Sequence, residues 1–329
     1  MRILLTGGTG LIGSFLAKSF ASEGHEVTIF HRRAHLPKDL QEFSSHICEL
    51  KADLFDLTTV TEALQNCDVV IHLAGLVSFA PRDKRKMHRI NIEATRLWVD
   101  AALSSNINHF IYFSSVSALG HPKSLTLIDE TAKWEDQPNL TEYGRTKHMG
   151  EREVWRGIEE GLPGVIINPS VVIGPGSEIR SSFKMLQYVK NKGKFIFPGI
   201  VNYIDIRDVY LLLQILLQEN IVGKQYIVSA GSLNYAELLQ KMAAKIGVKP
   251  PNWHLPLPLL QAIAPLEEAR NRVFGSDPLI TRDMIKSLRK SVTYNGQKAT
   301  SLPGFAYRDL DDSLRWVVNE MWGTNMGKV

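Results

Sequence analysis

The sequence predicts an α/β protein, a doubly wound parallel sheet followed by a smaller, mostly helical C-terminal lobe. Three observations carry this. Short apolar runs alternate with stretches of helical apolar spacing. The opening stretch Arg2 to Gly13, R-I-L-L-T-G-G-T-G-L-I-G, passes from strand to helix through closely spaced glycines. Ser114-Ser115 ends a later apolar run, and Tyr143 to Lys147 follows with tyrosine and lysine four apart.

Taken in order, Ile3 to Leu5 is a buried strand, Thr6 to Gly10 a turn, and Ile12 to Phe20 a helix. A glycine-rich turn between strand and helix cradles phosphate. Glycine lets backbone approach a pyrophosphate, and the helix start offers unpaired N–H groups. Gly8, Gly10 and Gly13 fit G-x-G-x-x-G, and Gly7, Gly10 and Gly13 fit the wider T-G-x-x-G-x-x-G. Leu11 and Ile12, between the last two glycines, belong to the same Rossmann-type cofactor cradle. Glu26 to Phe30 is the second strand, and its end selects the dinucleotide. An acidic residue there would favour NAD. The chain has His31-Arg32-Arg33 instead, and guanidiniums fork onto a 2′-phosphate, so NADP is preferred over NAD.

Cys48 to Asp53 and Val69 to Leu73 are the third and fourth strands, with a helix from Leu57 to Gln65 between them. Asp53 and Leu54 follow the third strand, where a side chain reaches an adenine amine. Ala74 and Gly75 end the fourth with small residues, letting a cofactor lie close. His72 reads as a hydrogen-bonded core histidine. The charge run Arg82 to Lys86 reads as a solvated face, or as the border of a mouth that attracts anions. Asn91 to Leu103 is an amphipathic helix and Phe110 to Phe113 the next strand.

Composition narrows the function. Of 329 residues, 44% are hydrophobic and 22% charged, as in ordinary globular proteins. A net charge of +4, with no basic stripe, argues against nucleic acid. Cys48 and Cys67 have no metal-ligand spacing and read as reduced thiols in a cytoplasmic protein, with no metal site. The first strand starts at once, leaving no room for a signal peptide. The apolar run Val209 to Leu217 is far short of the ~20 residues of a membrane span.

Ser115 and Tyr143 supply the chemistry. Tyr143 and Lys147 share one helix face, with helical spacing continuing from Met149 to Ile158. A phenol titrating near ~10 is a poor base at neutral pH. A nearby ammonium and an oxidised nicotinamide would favour phenolate, and Ser115 would hold the substrate oxygen by a hydrogen bond.

Together these motifs resemble the extended short-chain dehydrogenase/reductase family, also called the NAD-dependent epimerase/dehydratase family. The matching pieces are T-G-G-T-G-L-I-G at Thr6, H-L-A-G at His72, F-S-S-V-S-A-L-G at Phe113, Y-G-R-T-K at Tyr143, N-P-S-V-V-I-G-P-G at Asn168 and Y-I-D-I-R-D-V at Tyr203. The resemblance covers nearly the whole chain. It implies catalytic Ser115, Tyr143 and Lys147, with Lys147 also binding the nicotinamide ribose. It implies pyrophosphate glycines Gly7, Gly10 and Gly13, adenine contacts from Asp53 and Leu54, and Ala74 and Gly75 under the nicotinamide half. It implies a structural Asn91, and Pro169 and Ser170 flanking the nicotinamide. Asn168 stands where the family often has arginine, and Leu119 where it often has tyrosine. Both departures are similar to branches such as dihydroflavonol 4-reductase and 3β-hydroxysteroid dehydrogenase.

In the second half, Val165 to Asn168 is a strand, Gly174-Pro175-Gly176 a turn and Ser182 to Val189 a helix. Tyr203 to Asp208 is a short strand leading into a helix from Val209 to Gln218, and Gln225 to Ser229 is the last strand. Asn234 to Ile246 and Leu310 to Met321 are helices. Leu255-Pro-Leu-Pro-Leu-Leu opens a segment read as packing filler or as an apolar lid. Residues 1–170 form the dinucleotide-binding domain, with 200–230 returning to it; 171–199 and 231–329 form the substrate lobe.

The expected activity is NAD(P)-dependent hydride transfer to or from a carbonyl/alcohol, with Tyr143 as acid/base. The alternatives are a nucleotide-sugar epimerase or dehydratase, and a non-catalytic NADP-sensing regulator. The expected partners are a small-molecule substrate, its pocket drawn from Ser78–Arg82, Ser177–Phe197 and Leu255–Phe274, and a second copy in a homodimer.

Overall fold

The computed structural model describes residues 1–323 except 34, 44, 121–125, 137–139, 177–180, 275–279 and 289–291; within helices, the side chains of 38, 39, 181, 182 and 271–274 are also outside the description. Seven strands build the main sheet: β1 Arg2–Thr6, β2 Glu26–His31, β3 Ile47–Lys51, β4 Val69–His72, β5 His109–Phe113, β6 Gly164–Pro169 and β9 Lys224–Val228. Their order is β9-β6-β5-β4-β1-β2-β3, and every neighbouring pair is parallel. Strands β4 through β6 are buried along their full length, as sheets covered on both faces require. The order reverses between β1 and β4, and that reversal opens a crevice at the strands' carboxyl ends.

Helices cover both faces. One layer has α1 Leu11–Ser22 beside α6 Ile206–Gln218, whose Leu16, Phe20, Val209 and Leu213 join Ile3, Leu5 and Ile29 of the sheet in one core. The opposite layer has α2 Leu57–Gln65, α3 Ala94–Leu103 and α4 Glu142–Glu159, whose Val60, Leu64, Trp98 and Val154 pack on Leu4, Val70, Phe110 and Tyr112. Leu4 and Leu5 thus serve different cores, because successive side chains in a strand face opposite ways.

A second sheet of three strands, β7 Val171–Ile173, β8 Ile200–Asp205 and β10 Gly231–Asn234, lies in the order β10-β8-β7. It packs with α5 Ser181–Lys190, α7 Tyr235–Ile246 and α10 Leu310–Trp322. The helices α8 Leu257–Phe274 and α9 Arg282–Leu288 share a smaller cluster through Leu260, Ala264, Ile285 and Leu288.

Several expected boundaries move. The strand expected over Tyr203 to Asp208 stops at Asp205, whose carboxylate caps α6 by accepting from Arg207 N at 2.8 Å. Gln225 to Ser229 is not the last strand, since β10 follows it directly. The third strand covers Ile47–Lys51 rather than Cys48 to Asp53, because Asp53 turns the chain by accepting from Phe55 N. The helix expected from Asn91 begins upstream, at Lys84–His88, and passes through a π-turn at Arg89–Glu93 before α3.

Candidate cofactor cleft and reactive centre

A cleft of about 550 Å³ lies beyond the carboxyl ends of β1, β2, β3 and β4. It gathers residues far apart in sequence: Gly7 and Gly10, then His31, Arg32 and Arg33, then Asp53 and Leu54, then Ala74 and Gly75. Each group ends one strand, so parallel pairing alone converges them. Gly7 has φ +68°, and a Cβ there would meet Leu73 and Ala74 backbone at 2.8 Å, so only glycine fits this crossing between β1 and β4. Gly10 caps α1 with extended backbone and no side-chain hydrogen bond. The amides of Leu11, Ile12 and Gly13 in the first turn therefore have no intrahelical acceptor, which suits a pyrophosphate. The chain thus fits a dinucleotide: a tight glycine cradle, an open helix start and two exposed arginines at the β2 end.

Two cations that the sequence reading assigned no cofactor role, Lys86 and Arg89, also line the cleft. The basic residues of the charge run are exposed, as a solvated face requires, and Lys86 also borders the cleft. Lys84 pairs with Glu142 at 3.2 Å, while Lys86 turns into the cleft. Arg89 lies 4.6 Å from the Phe55 ring centroid, a cation–π contact at the cleft wall. Arg89 lines the cleft, while Asn91, two residues on in the π-turn, is fully buried. Asn91 Nδ2 donates to Leu76 O at 3.0 Å and to Thr146 Oγ1 at 2.9 Å, and Oδ1 accepts from Leu76 N at 2.7 Å. One side chain thereby ties the loop after β4 to α4.

His72 is a core residue, as the sequence suggests. Its Nδ1 and Thr6 Oγ1 are 3.0 Å apart, its ring stacks near Phe110 and Tyr112, and burial pushes its pKa down to about 3.

The groups expected to react meet at the end of β5. Ser115 starts a short 3₁₀ turn, Val116–Ala118, and its Oγ accepts from Ser117 N at 3.1 Å. Thr141 caps α4 by accepting from Gly144 N at 3.0 Å. Asp283 of α9 accepts from Glu142 N at 2.8 Å, so the helix carrying Tyr143 is also held from the C-terminal part of the chain. A Cβ on Gly150 would meet Tyr112 Oη at 2.7 Å; its absence lets α4 lie close on β5.

Lys147 is almost wholly buried. Its Nζ donates to Tyr112 Oη at 2.9 Å and to Phe113 O at 2.7 Å, lies 4.3 Å from the Tyr112 ring centroid, and sits 3.9 Å from where a Gly75 Cβ would be. Burial lowers its pKa to about 7, against the attraction of Glu151. The half-buried Tyr143 phenol is pushed above its ordinary value by burial, and the Ser115 hydroxyl draws it down. This corrects one expectation. Lys147 is not what moves the phenol in this structure, because its longer side chain reaches past Tyr143 to Tyr112 and the Phe113 carbonyl.

Sequence reasoning missed the group beneath this centre. Glu151 is buried, and burial raises its pKa. It accepts from Asn168 Nδ2 at 2.8 Å and from Gln225 Nε2 at 2.8 Å, with Ser114 nearby as a further stabilising hydroxyl. Asn168 also donates to Ser115 O at 3.0 Å. The residue that departs from the family's arginine is therefore a strut between the serine strand and α4. The available signal was spacing, since Tyr143, Lys147 and Glu151 fall on one helical stripe. Leu119, the other departure, is buried with Val116, Ile128 and Ile227.

Pro169 and Ser170 end β6 in the buried interior, and Ser170 Oγ donates to Val228 O at 3.3 Å. They stand outside the residues that line the cleft. Of the expected substrate-pocket segments, residues 177–180 lie outside the described structure. Among the described residues no group of histidine, cysteine or carboxylate side chains could hold a metal, and no helix is long and apolar enough to cross a membrane.

Comparison with known proteins agrees with this geometry. Residues 3–229 match the model of the NAD dependent epimerase/dehydratase family. Sterol demethylase protein B of Methylococcus capsulatus is 26% identical over 281 residues, covering 83% of each chain. A putative dihydroflavonol 4-reductase of Synechocystis is 25% identical over 331 residues, covering 99% of this chain and 95% of that one. The crystal structure of gox2253 superposes with a TM-score of 0.80 at 27% identity, over 97% of this chain and 98% of the other. UDP-glucuronic acid 4-epimerase from Bacillus cereus in complex with NAD has a TM-score of 0.75 at 19% identity, over 98% and 100%, a likeness of fold. With the family model matching well over half the sequence, this chain belongs to the NAD dependent epimerase/dehydratase family.

Proposed function

We propose that the protein is an NADP(H)-dependent oxidoreductase that interconverts a carbonyl and an alcohol. The observation that carries this reading is the convergence of Ser115, Tyr143 and Lys147 around Tyr112, beside a cleft whose β2 end holds Arg32 and Arg33. A bound nicotinamide supplies or accepts the hydride. Ser115 donates a hydrogen bond to the substrate oxygen, and Tyr143 exchanges the proton with it. Lys147, as a cation, orients the ribose, and the positive charge of an oxidised nicotinamide would favour the phenolate. Gly75, close to Lys147 Nζ, keeps that space open. The relatives whose names describe reductases lend weight to net redox chemistry.

A panel of hydroxy-ketones, flavonoids, steroids and nucleotide-sugars, read by cofactor absorbance and by sugar stereochemistry, tests this. Net consumption of NADPH with a carbonyl compound is expected. Cofactor that co-purifies, is never consumed, and accompanies inversion of a sugar carbon would replace the reading with epimerisation.

The preference for NADP rests on the two arginines. Changing Arg32 and Arg33 to serine should weaken NADP by roughly 10²-fold, the loss of one or two charged hydrogen bonds, and leave NAD nearly unchanged. Titration of both cofactors against both proteins measures this; wild type binding NAD as tightly as NADP would remove the preference. A homodimer joined through the outer faces of α3 and α4 completes the proposal.

A further inference from the structure

The helix α8 is apolar on its outer face as well as its inner one. Its solvent side carries Pro258, Leu259, Ala262, Ile263, Leu266 and Ala269, all exposed, Leu266 at 71%. Leu259, Ile263 and Leu266 follow the i, i+4, i+7 spacing of one stripe. Its two acids turn inward instead: Glu267 pairs with Arg270 at 2.7 Å and Glu268 with Arg282 at 3.6 Å, both carboxylates largely covered. A helix facing water normally does the reverse.

The apolar surface continues at the neighbouring strand pair. Phe195 and Trp253 are register partners, their ring centroids 6.1 Å apart, and Trp253 is 61% exposed. Lysines accompany these segments. No Asp or Glu lies between Glu178 and Asp205, or between Glu237 and Glu267, while Lys184, Lys190, Lys192, Lys194, Lys241, Lys245 and Lys249 do; Lys241 and Lys245 are paired with Asp311. Lys192, Lys194 and Lys249 are exposed, and the Lys194 carbonyl accepts from Trp253 N at 3.0 Å, which fixes this lysine beside the indole.

We propose that this face seats the protein on an anionic lipid surface, with α8 lying in the interfacial plane. An outward apolar stripe, an exposed tryptophan and a lysine rim are the elements of such attachment. A second copy of the chain fits less well, because it would bring the same lysine rim against itself. The segment read from sequence as packing filler or lid thus has a third role. Its inner residues Leu260 and Ala264 pack on Ile280, Ile285 and Leu288, and its outer ones meet lipid.

The test is flotation of the full-length protein with vesicles of phosphatidylcholine alone or with phosphatidylserine. Binding is expected only to the serine lipid, with loss on raising salt and a blue shift of emission that Trp253→Phe removes. Leu266→Glu, alone or with Ile263→Glu, should abolish binding; the single variant keeps its melting temperature, since Leu266 is 71% exposed. Lys192→Asn with Lys194→Gln should weaken it on the order of thirtyfold. Wild type that stays unbound with the serine lipid at low salt overturns the proposal. So does a dimer that Ile263→Glu dissolves, which would assign the face to a second copy.

Discussion

Tyr143→Phe should lower kcat by roughly 10²- to 10⁴-fold, the range for loss of a positioned acid/base, while the Kd for cofactor stays within about twofold. The two effects separate because of where the hydroxyl lies. It faces Ser115 at the end of β5, whereas the lining of the cofactor cleft contains neither residue. Burial raises the phenol's pKa, so the substitution removes no charge from the resting protein and should leave its stability nearly intact. Rate and cofactor titration on one preparation decide the matter. A variant that keeps wild-type kcat would reject Tyr143 as the proton donor.

Lys147→Met should lower kcat/KM by roughly 10²-fold or more and change how stability depends on pH. Burial holds this lysine near 7 in the folded protein against 10.5 for an ordinary lysine. The sign follows from linkage. Between those values the unfolded chain binds more protons, so stability rises with pH across that window. The cost of burying the charge is complete below the folded value and fades toward the ordinary one. From pH 7 to pH 9 the wild type should gain about 2 kcal/mol relative to Lys147→Met. Denaturant melts of both proteins at the two pH values measure the difference. Parallel curves would mean that Lys147 is fully hydrated or permanently paired. Glu151 opposes the shift, so Glu151→Gln should lower the lysine's pKa further and steepen the wild-type trend.

The cofactor end of the cleft was legible because every part of it is local. A strand, a turn and a helix start lie within one stretch of chain, and Arg32-Arg33 and Asp53-Leu54 each sit just past a strand end. Parallel pairing brings such strand ends together without further instruction, so Gly7, Arg32, Asp53 and Gly75 could be placed on one cleft from pattern alone. The helix under Tyr143 was equally readable, since four-residue spacing fixes a face.

What the sequence could not announce was the partner of each polar group. Lys147 looked like a neighbour for Tyr143, but a long side chain reaches the nearest buried acceptors, and those belong to β5. Glu151, Asn168 and Gln225 come from α4, β6 and β9 and form one network only because the sheet order sets β6 between β5 and β9. Lys86 borders the cleft from the helical segment Lys84–His88, and Arg89 from the π-turn that follows it, which no spacing rule signals. The outward stripe of α8 was hidden for a related reason. An apolar run says that a helix has a greasy side, but only the packing of Leu260 and Ala264 decides which side is already covered. By itself the chain determined its sheet and its glycine cradle, because these follow from backbone geometry and short-range spacing. The folded structure alone decided who touches whom, because buried charges and hydroxyls must find partners across strands that are distant in sequence.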